Sequence, residues 1–186
     1  MNALARFRVN CAAAIGVLGV VVLFSGCQAM AEQQEIELGY TPSIKSVDQG
    51  RVDAKGISSR LLDITELRGE TSEPGPGISS CQVDPKKERL FKVSHFWSVT
   101  GLAREELAEG MDRLRRTLPQ EGWEIISDGE MNNANRTPEI LFENTDVEHA
   151  VNVTLRGKTD EDSMLYVAVV SACFSTPEGE SPKGSY

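Results

Sequence analysis

Residues 89–118 change period in the middle, and that change limits what the chain can fold into. Over 89–99 the side chains alternate. Phe91, Val93, His95, Trp97 and Val99 share one face; Lys92, Ser94 and Ser98 share the other with Leu90 and Phe96. A period of two marks a half-buried strand. Directly after it, Leu107, Met111, Leu114 and Leu118 recur at helical spacing, which predicts an amphipathic helix over 101–118. Thr100 or Gly101 is its expected cap. Glu105 and Glu106 fall in the first turn and Arg113, Arg115 and Arg116 in the last, as the helix dipole favours. Glu109–Arg113 and Asp112–Arg116 are spaced as ion pairs, and Pro119 is expected to end the helix. A helix stripe and a strand face that both need burial predict a helix lying on a sheet.

The remaining segments fill out that sheet. Residues 123–127 (WEIIS), 139–143 (EILFE) and 149–156 read as strands, the last with Val151, Val153 and Leu155 inward. Residues 164–174 (MLYVAVVSACF) are apolar on both faces, so this strand belongs in mid-sheet or under cover on both sides. Upstream, 48–67 reads as a helix with a ragged stripe of Val52, Ile57, Leu61, Leu62 and Ile64. Gly50 and Gly56 weaken its start, and Gly69 suits a left-handed cap at its end. Residues 71–80 (TSEPGPGISS) read as a surface loop. The order α-β-α-β-β-β-β predicts an α+β fold: a mainly antiparallel sheet of about five strands with one or two packed helices. The second helix should lie on Phe91, Val93, Trp97, Val151, Val153 and some of Leu165, Val167 and Val169. The first is the candidate to cover the opposite face of Leu90, Phe96, Met164, Tyr166 and Val170. Any part left bare is an expected ligand or partner surface.

Composition narrows the function. Hydrophobic residues make up 40% of the 186-residue chain and charged residues 25%, which excludes wholesale disorder. Lys+Arg 19 against Asp+Glu 28 gives −9. With no basic run, nucleic acid is excluded as a partner, because phosphate neutralisation supplies most of such affinity. Two histidines and four cysteines without CxxC or HxxxH spacing give no zinc pattern, and no cofactor is indicated.

The N-terminus has the form of an export signal. Arg6 and Arg8 precede an uncharged apolar run over 11–24 (CAAAIGVLGVVVLF), followed by Ser25-Gly26-Cys27. The run is shorter than the ~20 residues a spanning helix needs. Residues 23–27 (LFSGC) resemble the lipobox of bacterial lipoproteins. That resemblance implies a signal peptide over 1–26 and lipidation of Cys27, which becomes the first mature residue. Phe24 departs from the commoner Leu at its position. Two acyl chains on one cysteine give stable anchoring, so the resemblance implies a cell-membrane protein, lipid-anchored on the extracytoplasmic face. Loss of Arg6 and Arg8 takes the charge from −9 to −11, which anionic headgroups repel. Residues 27–46 then read as lipidated cysteine and flexible tether, reaching roughly 25 Å. Residues 47–176 read as a single domain, and 177–186 as a polar tail.

Cys81 and Cys173 remain once Cys11 leaves with the signal and Cys27 takes lipid. An even pair in an exported domain reads as a disulfide, two free buried thiols being the other reading. His95, between Val93 and Trp97, reads as a satisfied core or cleft histidine. His149 beside Glu148 is expected to be exposed. There is no GxSxG elbow for a serine hydrolase. Asp160-Glu161-Asp162 lacks the spacing of a calcium loop and reads as a solvated turn. Residues 73–77 (EPGPG) read as a connector or a stiffened functional loop. Trp97 and Trp123 are core residues or groove linings. The EPGPG loop, Cys81, Trp97, the RRTLP helix end, Gly122-Trp123 and VVSACF resemble a group of small actinobacterial lipoproteins over about 110 residues. That resemblance supports the disulfide and the fold and brings no activity with it. The chain is therefore expected to be a binding or accessory domain without catalysis. A cell-envelope hydrolase, marked by a cleft joining His95 to a serine and a carboxylate, is the alternative. A structural or sensory accessory of a membrane complex is the third reading.

Overall fold

A computed structural model describes residues 38–72, 74–84, 86 and 88–185. The expected signal peptide, Cys27 and the first part of the expected tether lie outside them. Among the described residues the chain runs α1 Val47–Thr65, β1 Glu70–Thr71, β2 Gly77–Ser80, β3 Leu90–Thr100 and α2 Arg104–Thr117. A 3-10 turn at Leu118–Glu121 leads into β4 Glu124–Glu130, β5 Pro138–Asn144, β6 His149–Arg156, β7 Met164–Ser171 and β8 Phe174–Ser175. The strands pair antiparallel in the order β1-β3-β7-β6-β5-β4, with β2 and β8 also on β3. This is the α+β architecture expected from the sequence.

β3 is the strand that organises the domain. Its inner residues Phe91, Val93, His95, Trp97 and Val99 are buried in strict alternation. β7 lies between β3 and β6, in mid-sheet as its apolar faces require. It does not run to residue 174. Ser94 faces Val170, whereas Phe91 faces Phe174, so one extra residue is inserted and the strand bulges at Ala172-Cys173. The segment 71–80, expected as a loop, instead adds two short edge strands: β1 and β2 both pair with β3, and Ser72, Pro74, Gly75 and Pro76 lie between them.

Both helices occupy the same face of the sheet. The stripe Leu107, Met111, Leu114 and Leu118 packs with Trp97, Val99, Val151, Val153, Leu165, Val167 and Val169. Phe91 and Val93 are not under α2. They form a second, smaller cluster with Ala54 of α1 and Phe174. α1 therefore does not cover the opposite face, because β3 extends past α2 and its inner end needs α1. That opposite face is half-buried at Met164, Tyr166 and Val170, and Phe96 is 45% exposed.

α1 lies close to the sheet. It buries Gly50, Ala54, Ser58, Leu61, Ile64 and Thr65, whereas Val52 is 64% exposed. A Cβ at Gly50 would sit 2.9 Å from Val93 Cγ2, so the face against Val93 uses small residues. The left-handed cap of α1 is Glu66 at φ 53°. Gly69 serves close approach, since a Cβ there would lie 2.3 Å from the Thr100 carbonyl oxygen. α2 is capped at Ala103, whose N–H donates to Glu106 Oε2 at 3.2 Å. Pro119 falls in the 3-10 turn that prolongs the helix.

Cys81 and Cys173 are disulfide-bonded, with Cα atoms 6.2 Å apart. The bridge fastens the end of β2 to the bulge between β7 and β8, rather than α1 to the sheet. Packing begins before α1: Lys45 N–H donates to the Ser175 carbonyl and Ser175 N–H to the Ser43 carbonyl, both at 2.9 Å. The tail packs too, with Pro182 buried and Arg51 Nη2 donating to the Ser185 carbonyl at 3.1 Å.

Candidate functional site

The strap between β1 and β2, with Ser72, Pro74, Gly75 and Pro76, is a consequence of its sequence. Ser72 is held to β3: its N–H donates to the Ser98 carbonyl at 3.0 Å, and Ser98 N–H donates to Ser72 Oγ at 2.9 Å. Pro74 and Pro76 have no N–H to give a ladder, so the edge lifts away and pairing resumes only at Gly77 opposite Ser94. The result is a strap across the inner edge of β3, facing α1.

His95 clips the strap down. Its Nε2 lies 2.8 Å from the Pro74 carbonyl oxygen. A carbonyl only accepts, so Nε2 donates. Nδ1 then accepts a hydrogen bond from the Ser58 hydroxyl of α1, 2.7 Å away. His95 is 9% exposed with both ring nitrogens satisfied, as the sequence reading expected. One imidazole thus joins helix, strand and strap.

Between α1 and the strap lies a cleft of about 210 Å³. Lys55, Ser58, Ser59 and Leu62 line it from α1, Pro74, Gly75 and Pro76 from the strap, and His95 and Trp97 from β3. Trp97 is 4% exposed, yet its indole Nε1–H has no hydrogen-bond partner. Buried polar groups are almost always paired, and this donor is itself closed off from solvent. Lys55 is exposed and makes no ion pair among the described residues, and no Asp or Glu lines the cleft among them.

A second, more open cleft of about 500 Å³ lies at the C-terminal end of β7, lined by Tyr40, Asn144, Glu148, His149 and Ala172 among others. His149 is not exposed: it is 2% accessible and packs against Phe174. Its Nδ1–H donates to the Val147 carbonyl at 2.6 Å and its Nε2 has no partner. Burial holds its imidazole below the ordinary value near 6.5, against the opposing Val147 hydrogen bond.

The other sequence candidates have structural roles. Asp162 accepts from the N–H groups of Lys158 and Thr159 at 2.9 and 2.7 Å, and Asp160 accepts from Arg104 N–H at 2.8 Å. No cluster of three metal-ligating side chains and no membrane-spanning helix occurs among the described residues. Of the hydrolase constellation, the cleft holds His95 and a serine, with a strap carbonyl where a carboxylate would stand. Sequence reasoning named His95, Trp97 and the EPGPG loop separately. It did not bring Ser58 to them, because nothing in the sequence shows which face of α1 meets β3. No protein-family model, no curated protein and no solved structure matches the chain.

Proposed function

We propose that the chain is an extracytoplasmic domain held to the cell membrane by lipid on Cys27, and that it binds a ligand in the cleft between α1 and the strap without a catalytic step. The cleft itself, lined by Leu62, Trp97 and the strap prolines with the exposed Lys55 beside them, carries the binding reading. The lipobox-like Leu23-Phe24-Ser25-Gly26-Cys27 supports the anchor, and a bonded cysteine pair fits an oxidising compartment. Mass spectrometry of the membrane fraction tests the anchor: the mature chain should begin at a diacylated Cys27. Cys27→Ala should abolish the adduct and the processing at that point. An unmodified Cys27 in membrane-bound protein would overturn it.

One observation favours a hydrolase instead: the 2.7 Å contact of Ser58 Oγ with His95 Nδ1, the pairing a nucleophile and its base require. A fluorophosphonate separates the two readings. Ser58 should stay unlabelled in a binding module; stoichiometric labelling lost in Ser58→Ala would establish the hydrolase.

A further inference from the structure

We propose that residues 40–45 form a proton-released clasp: charging of His149 frees them from β8. The release depends neither on the ligand cleft nor on the membrane anchor. The segment is held mainly by polar bonds. Lys45 N–H donates to the Ser175 carbonyl and Ser175 N–H to the Ser43 carbonyl, both at 2.9 Å. Cys173 N–H donates to the Tyr40 hydroxyl at 2.7 Å. Ser43 Oγ donates to Glu148 Oε1 at 2.7 Å, and Lys45 Nζ to Asp53 Oδ2 at 2.8 Å. Apolar burial adds little, since Tyr40 and Ile44 are exposed. Lys45 Nζ also lies over the Phe174 ring, 4.5 Å from its centroid, and His149 packs against that same ring. The closed clasp thus brings an ammonium close to a buried imidazole.

His149 is poorly placed to take a proton while the clasp is closed. Its Nδ1–H is already given to the Val147 carbonyl, so the proton must go to Nε2, which is buried without an acceptor. Three charged groups act on the ring: Lys45 of the clasp, Asp53 of α1 and Glu148 of the turn before β6. Phe174 of β8, Asn144 of β5 and Ser171 of β7 adjoin it without charge, and Tyr40 and Glu143 share the neighbouring cleft. Burial is the largest influence holding the imidazole low. Lys45 adds to it, and the Val147 bond, Asp53 and Glu148 oppose it. Opening the clasp withdraws Lys45 and leaves the Asp53 carboxylate without that partner. Asp53 is ionised throughout, because carboxylate values lie well below this window. The open form therefore binds the proton more tightly, and falling pH favours it. On either side of His149, β5 and β7 are continuous ladders with β6, so the clasp is the wall that gives. In a chain anchored as proposed above, release adds residues 40–45 to the tether, at most ~20 Å of further reach.

The test is amide hydrogen exchange on the full chain in detergent, expressed as protection factors at pH 7 and pH 5.5. Protection at Lys45, Cys173 and Ser175, the three backbone donors of the clasp, should fall about three- to ten-fold, the proton linkage of one imidazole over that interval. Val153 and Val167 should keep theirs. In His149→Gln the three amides should show no such fall. Proton resonances of the His149 ring, recognised by their contacts with Phe174, give a second readout in the unaltered chain, and should titrate together with the loss of protection. Unchanged protection at the three amides while the ring titrates would overturn the clasp. So would an equal fall at Val153 and Val167, or a fall that persists in folded His149→Gln.

Discussion

Gly110 sits where α2 meets the end of α1, and a Cβ there would lie 2.7 Å from Leu67 Cδ1 and 2.9 Å from its Cγ. Leu67 is 7% exposed, so it cannot swing clear without opening the core. Gly110→Ala should destabilise by about 1–3 kcal/mol through overpacking. Gly56 is the contrast: it lies exposed within α1, and a Cβ there would meet nothing within 4 Å. Gly56→Ala should stabilise by about 0.5–1 kcal/mol, the helix-propensity difference. Chemical denaturation of the two variants should give shifts of opposite sign; like signs would mean the helix faces are misassigned. His149 makes a pH prediction. Stability rises with pH wherever the unfolded chain binds more protons than the folded one. Burial holds the folded imidazole below about 6.5, so as pH falls through that value the unfolded chain is protonated first. Stability is then lost until the folded value is passed. Asp53, Glu121 and Asp162 are also lowered, but from ordinary carboxylate values, below this window. His149→Gln should flatten the fall in denaturation midpoint between about pH 7 and 5.5, whatever its effect on absolute stability. An unchanged slope would show that His149 is not the group responsible.

At the scale of elements, α2 was the most legible. Its stripe, its charge placement and the alternation of β3 each follow one period, and each period holds in the fold. α1 was less so, because its face against β3 is built from Gly50, Ala54 and Ser58, which no hydrophobic stripe shows. β1 and β2 were hidden for a related reason: their pairing is supplied by β3, not by their own Ser, Gly and Pro content. The candidate cleft was illegible as a unit, since Lys55, the strap and Trp97 meet only through that edge pairing. α2 also supplies a test at this scale. Leu114 is fully buried in the main core, so Leu114→Ala should cost about 2–5 kcal/mol. Arg115, on the other side, is not a bystander. It pairs with Asp112 and makes two bonds to Asp128 of β4, at 2.6 and 3.0 Å. The expected Asp112–Arg116 pair gives way to this bridge between helix and edge strand. Arg115→Ala should cost up to about 1 kcal/mol, as partly exposed pairs do. Equal losses in the two variants, measured by urea denaturation, would put the stripe on the wrong face.

The whole domain is two layers deep: one helix layer over one face of one sheet, with its apolar volume divided unequally. The larger cluster joins α2 and the end of α1 to the middle strands. The smaller one, Ala54, Phe91, Val93 and Phe174, sits under the start of α1. Around that smaller cluster gather the disulfide, residues 43–45 and the bulge before β8. A four-residue cluster at the end of a sheet is weakly held by burial alone. The bridge compensates by closing a long loop, an effect of about 2–5 kcal/mol. Local opening should therefore be graded across the sheet. Amides of Val151, Val153, Val167 and Val169 should exchange slowest, because these residues are fully buried on strands paired on both sides. β4, an edge strand exposed along most of its length, should exchange fast. Reduction of Cys81–Cys173 should speed exchange at Ile78, Ser80 and Phe174 by an order of magnitude or more while leaving Val153 and Val167 close to their oxidised rates. Hydrogen exchange with and without reductant checks this. A uniform acceleration across β2, β6 and β7 would mean that the two clusters open as one unit and that the bridge stabilises the domain globally instead of at this end.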